Sequence, residues 1–166
     1  MFKPIRLRIF NNVSARNFNW FKFPSSSTSN PLFYKHLDLY TDGFNKICPY
    51  KEFSHPGIYK ITNRKNGMMY IGMSLDIRKR IKQHIRDAFL YRYDKSSRQH
   101  DDSSVVSQAV AENDFDFDYE ILEKIPLIKA RTLTTAQLKK LLREKEREWI
   151  MNYKSYERNV GYNQVK

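Results

Sequence analysis

The chain has 166 residues, 40% hydrophobic and 29% charged, which is room for one domain and an extension, and no apolar run approaches membrane-spanning length. Its single cysteine, Cys48, excludes an intramolecular disulfide and a cysteine cluster for zinc, and reads as a small buried or spare thiol. Thirty Lys and Arg against 18 Asp and Glu leave a net charge of +12, a field that suits a polyanionic partner, with nucleic acid the economical choice.

Residues 1–31 form a basic arm: from Met1 to Leu37 there are six Lys and Arg and no acid, with Phe, Asn and Ser abundant. That composition suits an organellar transit peptide as well as an arm that wraps DNA or docks on a partner protein. The compartment therefore stays open, cytoplasm or nucleoid in one case and an organelle in the other. The run from Pro24 to Pro31, rich in Ser, reads as a flexible linker. Residues 32–55 carry enough aromatics to pack against the globular part, which is placed at residues 56–166.

Residues 56–72 read PGIYKITNRKNGMMYIG, two short tyrosine-bearing strands around the turn Asn63-Arg64-Lys65-Asn66-Gly67, where Gly67 is free to take a positive φ. Tyr59 and Tyr70 each bring an apolar ring with a hydroxyl that can reach a polar partner; the plain alternative is an aromatic hairpin core. Ser74-Leu75-Asp76 then supplies capping side chains, and Ile77, Ile81, Ile85 and Phe89 recur every fourth residue, which predicts an amphipathic helix over 76–91. Arg80 and His84 sit one turn apart beside that stripe and border the hairpin. Arg78, Lys79, Lys82 and Arg86 crowd the same helix, either as a solvated basic face or as contacts to phosphate. Residues 51–95 hold eleven Lys and Arg against four acids, so the positive excess surrounds this region.

Ser96 to Asp102 has little apolar content and reads as loop. After Ser103-Ser104, Val105, Val106, Ala109 and Val110 outline one face of a short helix, and Phe115, Phe117, Tyr119 and Ile121 alternate with acids in a half-buried strand expected to pair with the hairpin. Pro126 ends that strand and residues 127–133 read as connection. Thr134-Thr135-Ala136-Gln137 has capping-box spacing, and Leu138, Leu141, Leu142, Trp149, Ile150 and Tyr153 give a long helix one apolar face to about residue 154. Glu146 falls within that face, where a carboxylate is costly unless paired, protonated or bound to a cation; Lys145 beside it can snorkel, and Glu144 lies off the face. The expected fold is α+β: a small three-stranded, mainly antiparallel sheet flanked by helices.

Gly57-Ile58-Tyr59, Tyr70-Ile71-Gly72, Arg80 with His84, Glu146 and the closing Asn159-Val160-Gly161-Tyr162-Asn163 occur in an order that resembles the GIY-YIG nuclease family, over about residues 56 to 164. The resemblance implies the same α+β fold and an endonuclease that hydrolyses phosphodiester bonds in DNA, most similar to homing or mobile-element members, with restriction or repair members as the enzymatic alternative. It implies that Glu146 is the metal ligand of a single-ion site, Mg²⁺ or Mn²⁺ in its place. It further implies that Tyr59 activates the nucleophile with Tyr70 in support, that Arg80 grips phosphate, that His84 orients Tyr59 or moves its proton, and that Asn163 braces the site, with Asn159 a turn residue. A phenol near pKa ~10 would need neighbouring positive charge to act as a base, and Arg80 is the expected source. Homing-type members carry a further histidine where Asp102 stands here; His100 either substitutes for it or is an exposed loop residue. Many mobile-element relatives append a targeting domain after the catalytic one, so selectivity here is expected from the arm, from self-association, from an insertion or from a partner protein. The reading from another class is a catalytically silent nucleic-acid-binding or structural module.

Overall fold

The computed structural model describes residues 31–40, 43–94 and 104–164. Most of the basic arm and its linker, and the loop that contains His100, lie outside the described residues.

In chain order the elements are α1 (Pro31–Tyr40), α2 (Phe44–Ile47), α3 (Tyr50–Phe53), β1 (Gly57–Asn63), β2 (Met69–Ser74), α4 (Ile77–Tyr93), α5 (Val105–Glu112), β3 (Phe117–Lys124), α6 (Leu127–Thr132) and α7 (Thr135–Tyr153). The sheet has three strands in the order β2-β1-β3, and both pairings are antiparallel. The hairpin turn closes with Gly67 at φ 73°, while the Asn63 and Asn66 side chains accept the Lys65 and Met68 amides. Asp76 caps α4 by accepting the Lys79 amide, and Thr134 with Gln137 forms the reciprocal capping box of α7.

Strand alternation divides the interior in two. Tyr59 and Ile61 join Ile77, Ile81, Ile85 and Phe89 of α4, Val106, Ala109 and Val110 of α5, and Phe33, Phe44 and Phe53 from α1, α2 and α3. Ile58 and Ile71 point the other way, onto Leu138 and Leu142 of α7. Each fully buried aliphatic side chain is worth about 1.5–3 kcal/mol relative to exposure, so both faces commit the register of the central strand. Cys48 is a buried thiol in the larger cluster, its pKa pushed up to about 12 by burial and lowered in turn by Arg78.

Three local expectations are corrected. Residues 127–132 are helical, because Pro126 sits at the N-cap position, where its fixed φ suits a helix entrance and its missing N–H costs nothing. The strand starts at Phe117; Phe115 instead lies in a turn where it and Asp114 both have φ 58°, and its buried ring packs 4.3 Å from His36. Val105 opens α5 but stays 44% exposed, leaving the buried face to Val106, Ala109 and Val110.

Candidate active site

An edge strand presents a row of amides that need partners, and β2 is such an edge. Three successive outward amides each find one. Met69 N–H donates to the Val160 carbonyl (3.1 Å), Ile71 N–H to Asn163 Oδ1 (2.9 Å) and Met73 N–H to Glu146 Oε1 (2.9 Å). Asn163 also donates from Nδ2 to the Ile71 carbonyl (2.8 Å), so its amide acts as a short piece of pairing strand. The chain end is pressed against β2 at Gly161, where a Cβ would stand 2.5 Å from the Met69 carbonyl oxygen and 2.2 Å from that of Ser155. Asn159 lies in the preceding turn.

Tyr70 stands on this edge strand and Tyr59 on the central strand beside it. Tyr59 is fully buried, its register partner is Gly72, and a Cβ on Gly72 would fall 2.5 Å from the Tyr59 hydroxyl oxygen. The second motif glycine is therefore the floor against which the first motif tyrosine lies. Gly57 answers a different neighbour, since a Cβ there would stand 2.1 Å from the Glu123 carbonyl oxygen on β3. Tyr70 packs with its ring centroid 6.3 Å from that of Tyr59 and 5.7 Å, edge-on, from His84.

His84, buried in α4, brings Nε2 to 2.9 Å from the Tyr59 hydroxyl. Its Nδ1 lies 3.2 Å from Ser107 Oγ and 3.4 Å from Ser104 Oγ, both belonging to the start of α5. Burial, with the neighbouring Arg80 charge, pushes the imidazole pKa down to about 3, so the ring is neutral at ordinary pH. Arg80, on the same helix, donates to Gln83 (2.9 Å) and places its charge where it acts on both the Tyr59 hydroxyl and the His84 ring.

Burial pushes the Tyr59 hydroxyl well above the phenol range; Tyr70 and Glu146 add to the rise and Arg80 opposes it. Tyr70 is raised by burial and by Glu146, again against Arg80. The expected positive charge is thus beside the phenols, but it does not outweigh desolvation, and both tyrosines carry their protons in this state. Glu146 is itself raised, mainly by burial, against the Met73 amide and Arg80. It forms no ion pair with a described residue, unlike Lys145 next to it, whose ammonium lies 2.5 Å from Glu123. No cluster of three or more His, Cys, Asp or Glu side chains suited to a metal occurs among the described residues. A half-buried carboxylate with one oxygen committed and no ion-pair partner among the described residues would suit a hard divalent ion that draws its other ligands from water and phosphate.

The fold thus brings Tyr59, Tyr70, Arg80, His84, Glu146 and Asn163 to one stretch of β2 and its neighbours. The remaining basic residues separate. Arg78 is turned inward, donating to the Cys48 carbonyl (3.0 Å) and to Asn45 (2.5 Å) and stacking over Phe44. Lys79 is exposed, while Lys82 and Arg86 line, with Tyr40, Lys79 and Gln83, an open groove of about 440 Å³. Ser104 and Ser107 escaped the sequence reading: Ser104 marked only a helix start, and neither spacing nor residue type ties a serine of α5 to a histidine of α4. No described helix is long and apolar enough to cross a membrane.

The family model of the GIY-YIG catalytic domain matches residues 55–163. No match was found among curated proteins. Among solved structures, a mutant of the catalytic domain of intron endonuclease I-TevI is similar at 26% identity, over 67% of this chain and 94% of that one, with a TM-score of 0.47. The catalytic domain of homing endonuclease I-TevI is similar at 24% identity, over 67% of this chain and 99% of that one, with a TM-score of 0.46. The family match runs without a break through both tyrosine strands, the basic helix, the glutamate helix and the closing asparagine, and this chain accordingly belongs to the GIY-YIG nuclease family and is an endonuclease.

Proposed function

We propose that this endonuclease hydrolyses phosphodiester bonds in DNA with the help of a divalent cation, Mg²⁺ or Mn²⁺ in its place, held on Glu146, and that it is of the homing or mobile-element type its motifs resemble. The observation that carries the reading is Glu146 itself, a half-buried carboxylate without an ion-pair partner among the described residues, close enough to raise both phenols. When bound there, a divalent ion supplies charge to the phosphate oxygens and offsets the carboxylate field that raises the phenols.

The protein's own residues do the rest. Because Tyr59 is held as a phenol, it serves as a relay and not as a free phenolate: it takes a proton from the attacking water as its own proton passes to His84 Nε2, 2.9 Å away, a transfer helped by the substrate phosphate, whose negative charge offsets the Arg80 cation that helps hold the free ring near 3. The water oxygen forms the new bond to phosphorus, the bond to the leaving oxygen breaks, and that oxygen takes a proton from solvent. Arg80 grips nonbridging oxygens and opposes the charge that builds on them, while Tyr70 walls the relay and Asn163 holds the edge strand that carries Tyr70. Lys79, Lys82 and Arg86 meet the DNA backbone along the groove beside Tyr40.

The test is cleavage of supercoiled plasmid and branched DNA with Mg²⁺, with chelator, and with the Glu146→Gln variant, which still accepts the Met73 amide. Cutting that needs the ion and falls by at least about a hundredfold in Glu146→Gln, with DNA affinity held within a few-fold, is the expected result. Full activity in the variant removes Glu146 from the site.

A further inference from the structure

We propose that Ser107, backed by Ser104, is a positioning residue that holds His84 in the tautomer protonated at Nδ1, leaving Nε2 as the acceptor that faces Tyr59. The tautomer stands on geometry alone, while its consequence for rate rests on the proposed mechanism.

A neutral imidazole has one donor nitrogen and one acceptor nitrogen. Five groups surround this ring: Arg80 on its own helix, Tyr59 from β1, Tyr70 edge-on from β2, and Ser104 with Ser107 from α5. Glu146 of α7 acts on the two phenols and is not among the charges that act on the ring. Of the two hydroxyls that flank the ring, the Tyr59 phenol is the stronger acid and the nearer, at 2.9 Å from Nε2 against 3.2 Å from Nδ1 to Ser107 Oγ, so it is Tyr59 that donates, to Nε2. On the far side, Ser104 Oγ accepts the Ser107 amide as the helix cap and lies 2.9 Å from Ser107 Oγ. With the Ser107 hydroxyl proton directed at Ser104, a lone pair of Ser107 Oγ is left for Nδ1–H at 3.2 Å. One directed chain then runs from Tyr59 through His84 and Ser107 to Ser104.

The chain matters most when a proton arrives. Once Nε2 takes the Tyr59 proton, both ring nitrogens are donors, and the buried Nδ1–H needs an acceptor that is already aligned. Ser107 is fully buried, so no water replaces it cheaply.

The experiment records long-range proton–nitrogen correlations of the His84 ring in ¹⁵N-labelled full chain, for the wild type, Ser107→Ala and Ser107→Thr, alongside plasmid cleavage in Mg²⁺. The wild type is expected to show a protonated Nδ1 and a bare Nε2. Ser107→Ala is expected to admit the other tautomer and to lose about ten- to a hundredfold in kcat at unchanged KM. Ser107→Thr, which keeps the hydroxyl, should restore both. A wild-type ring protonated at Nε2 overturns the proposal, as does a Ser107→Ala rate loss with an unchanged tautomer, which would mean a packing role. A changed tautomer at full rate removes the positioning role from catalysis. If the wild type cuts no DNA, the proposed function fails while the ring signals still decide the tautomer.

Discussion

The two faces of the sheet are made by alternate residues of the same strands, yet they bury different chemistry. Toward α4 and α5 the larger core encloses a polar line, Tyr59, His84 and Ser107, whose members satisfy one another inside apolar walls. Toward α7 the buried side chains are Ile58, Ile71, Ile125, Leu138 and Leu142, and polar groups keep to the margin: Trp149 Nε1 donates to Glu123 (3.1 Å), Lys145 pairs with Glu123, and Glu146 reaches the edge amide of β2. The first arrangement makes proton positions depend on packing. The second delivers a single carboxylate to the rim, where water and an ion can reach it. In the proposed mechanism, chemistry that needs a fixed proton and chemistry that needs an exchangeable ion are thus separated by one thickness of sheet and meet at its edge.

The sharpest way to break this comparison is to remove one hydroxyl from the buried line. Tyr59→Phe should lower single-turnover cleavage by about 10²- to 10⁴-fold, with Tyr70→Phe losing clearly less, because only Tyr59 bonds His84. Equal and mild losses would give both rings packing roles. On the rim, Asn163→Ala removes both hydrogen bonds to Ile71 and should cost about 1–3 kcal/mol in denaturant unfolding, with Asn163→Asp intermediate because it keeps only the acceptor.

Acid should act on the α4 side first. Burial is the main cause that pushes His84 down to about 3 and His36 down to about 4, from an ordinary value of 6.5, so the unfolded chain binds protons that the folded chain refuses. Their contribution is complete above pH 6.5 and is lost as pH falls through the window from 6.5 toward 4 and 3. Denaturant midpoints should therefore decline across that window, and a flat profile would contradict the buried, neutral histidines. The smallest effect separates neighbours on α4. Lys79→Ala should flatten the salt dependence of DNA binding by about 0.9 on a log–log plot, without changing stability. Arg78→Ala should do the reverse, since its guanidinium holds Cys48 and Asn45.

Much of this was legible because the signals were local. The isoleucine spacing of α4, the Asp76 cap, the capping box at Thr134 and the turn at Gly67 are each set by a few neighbouring residues. Where tertiary packing intervenes, local pattern misled: the alternation through Phe115 continues past the real strand start because its ring is wanted against His36, and the short α6 has no buried residue to announce it. Arg78 and Arg80 illustrate the limit, two arginines two positions apart, of which one is drawn to α2 and its C-terminal end and one acts on the phenols.

The sequence by itself determined the hairpin, the helices α4, α5 and α7 and the sheet-and-helix class, because periodicity, caps and short motifs act over a few residues. Only the tertiary structure decided that Glu146 and Asn163 serve as hydrogen-bond partners of an edge strand, that Gly72 is the floor beneath Tyr59, that the phenols keep their protons despite Arg80, and that two serines stand behind His84. Those facts depend on desolvation and on contacts between residues far apart in the chain, including Ile71 and Asn163, whose numbers differ by 92, and neither burial nor distance is written in local spacing.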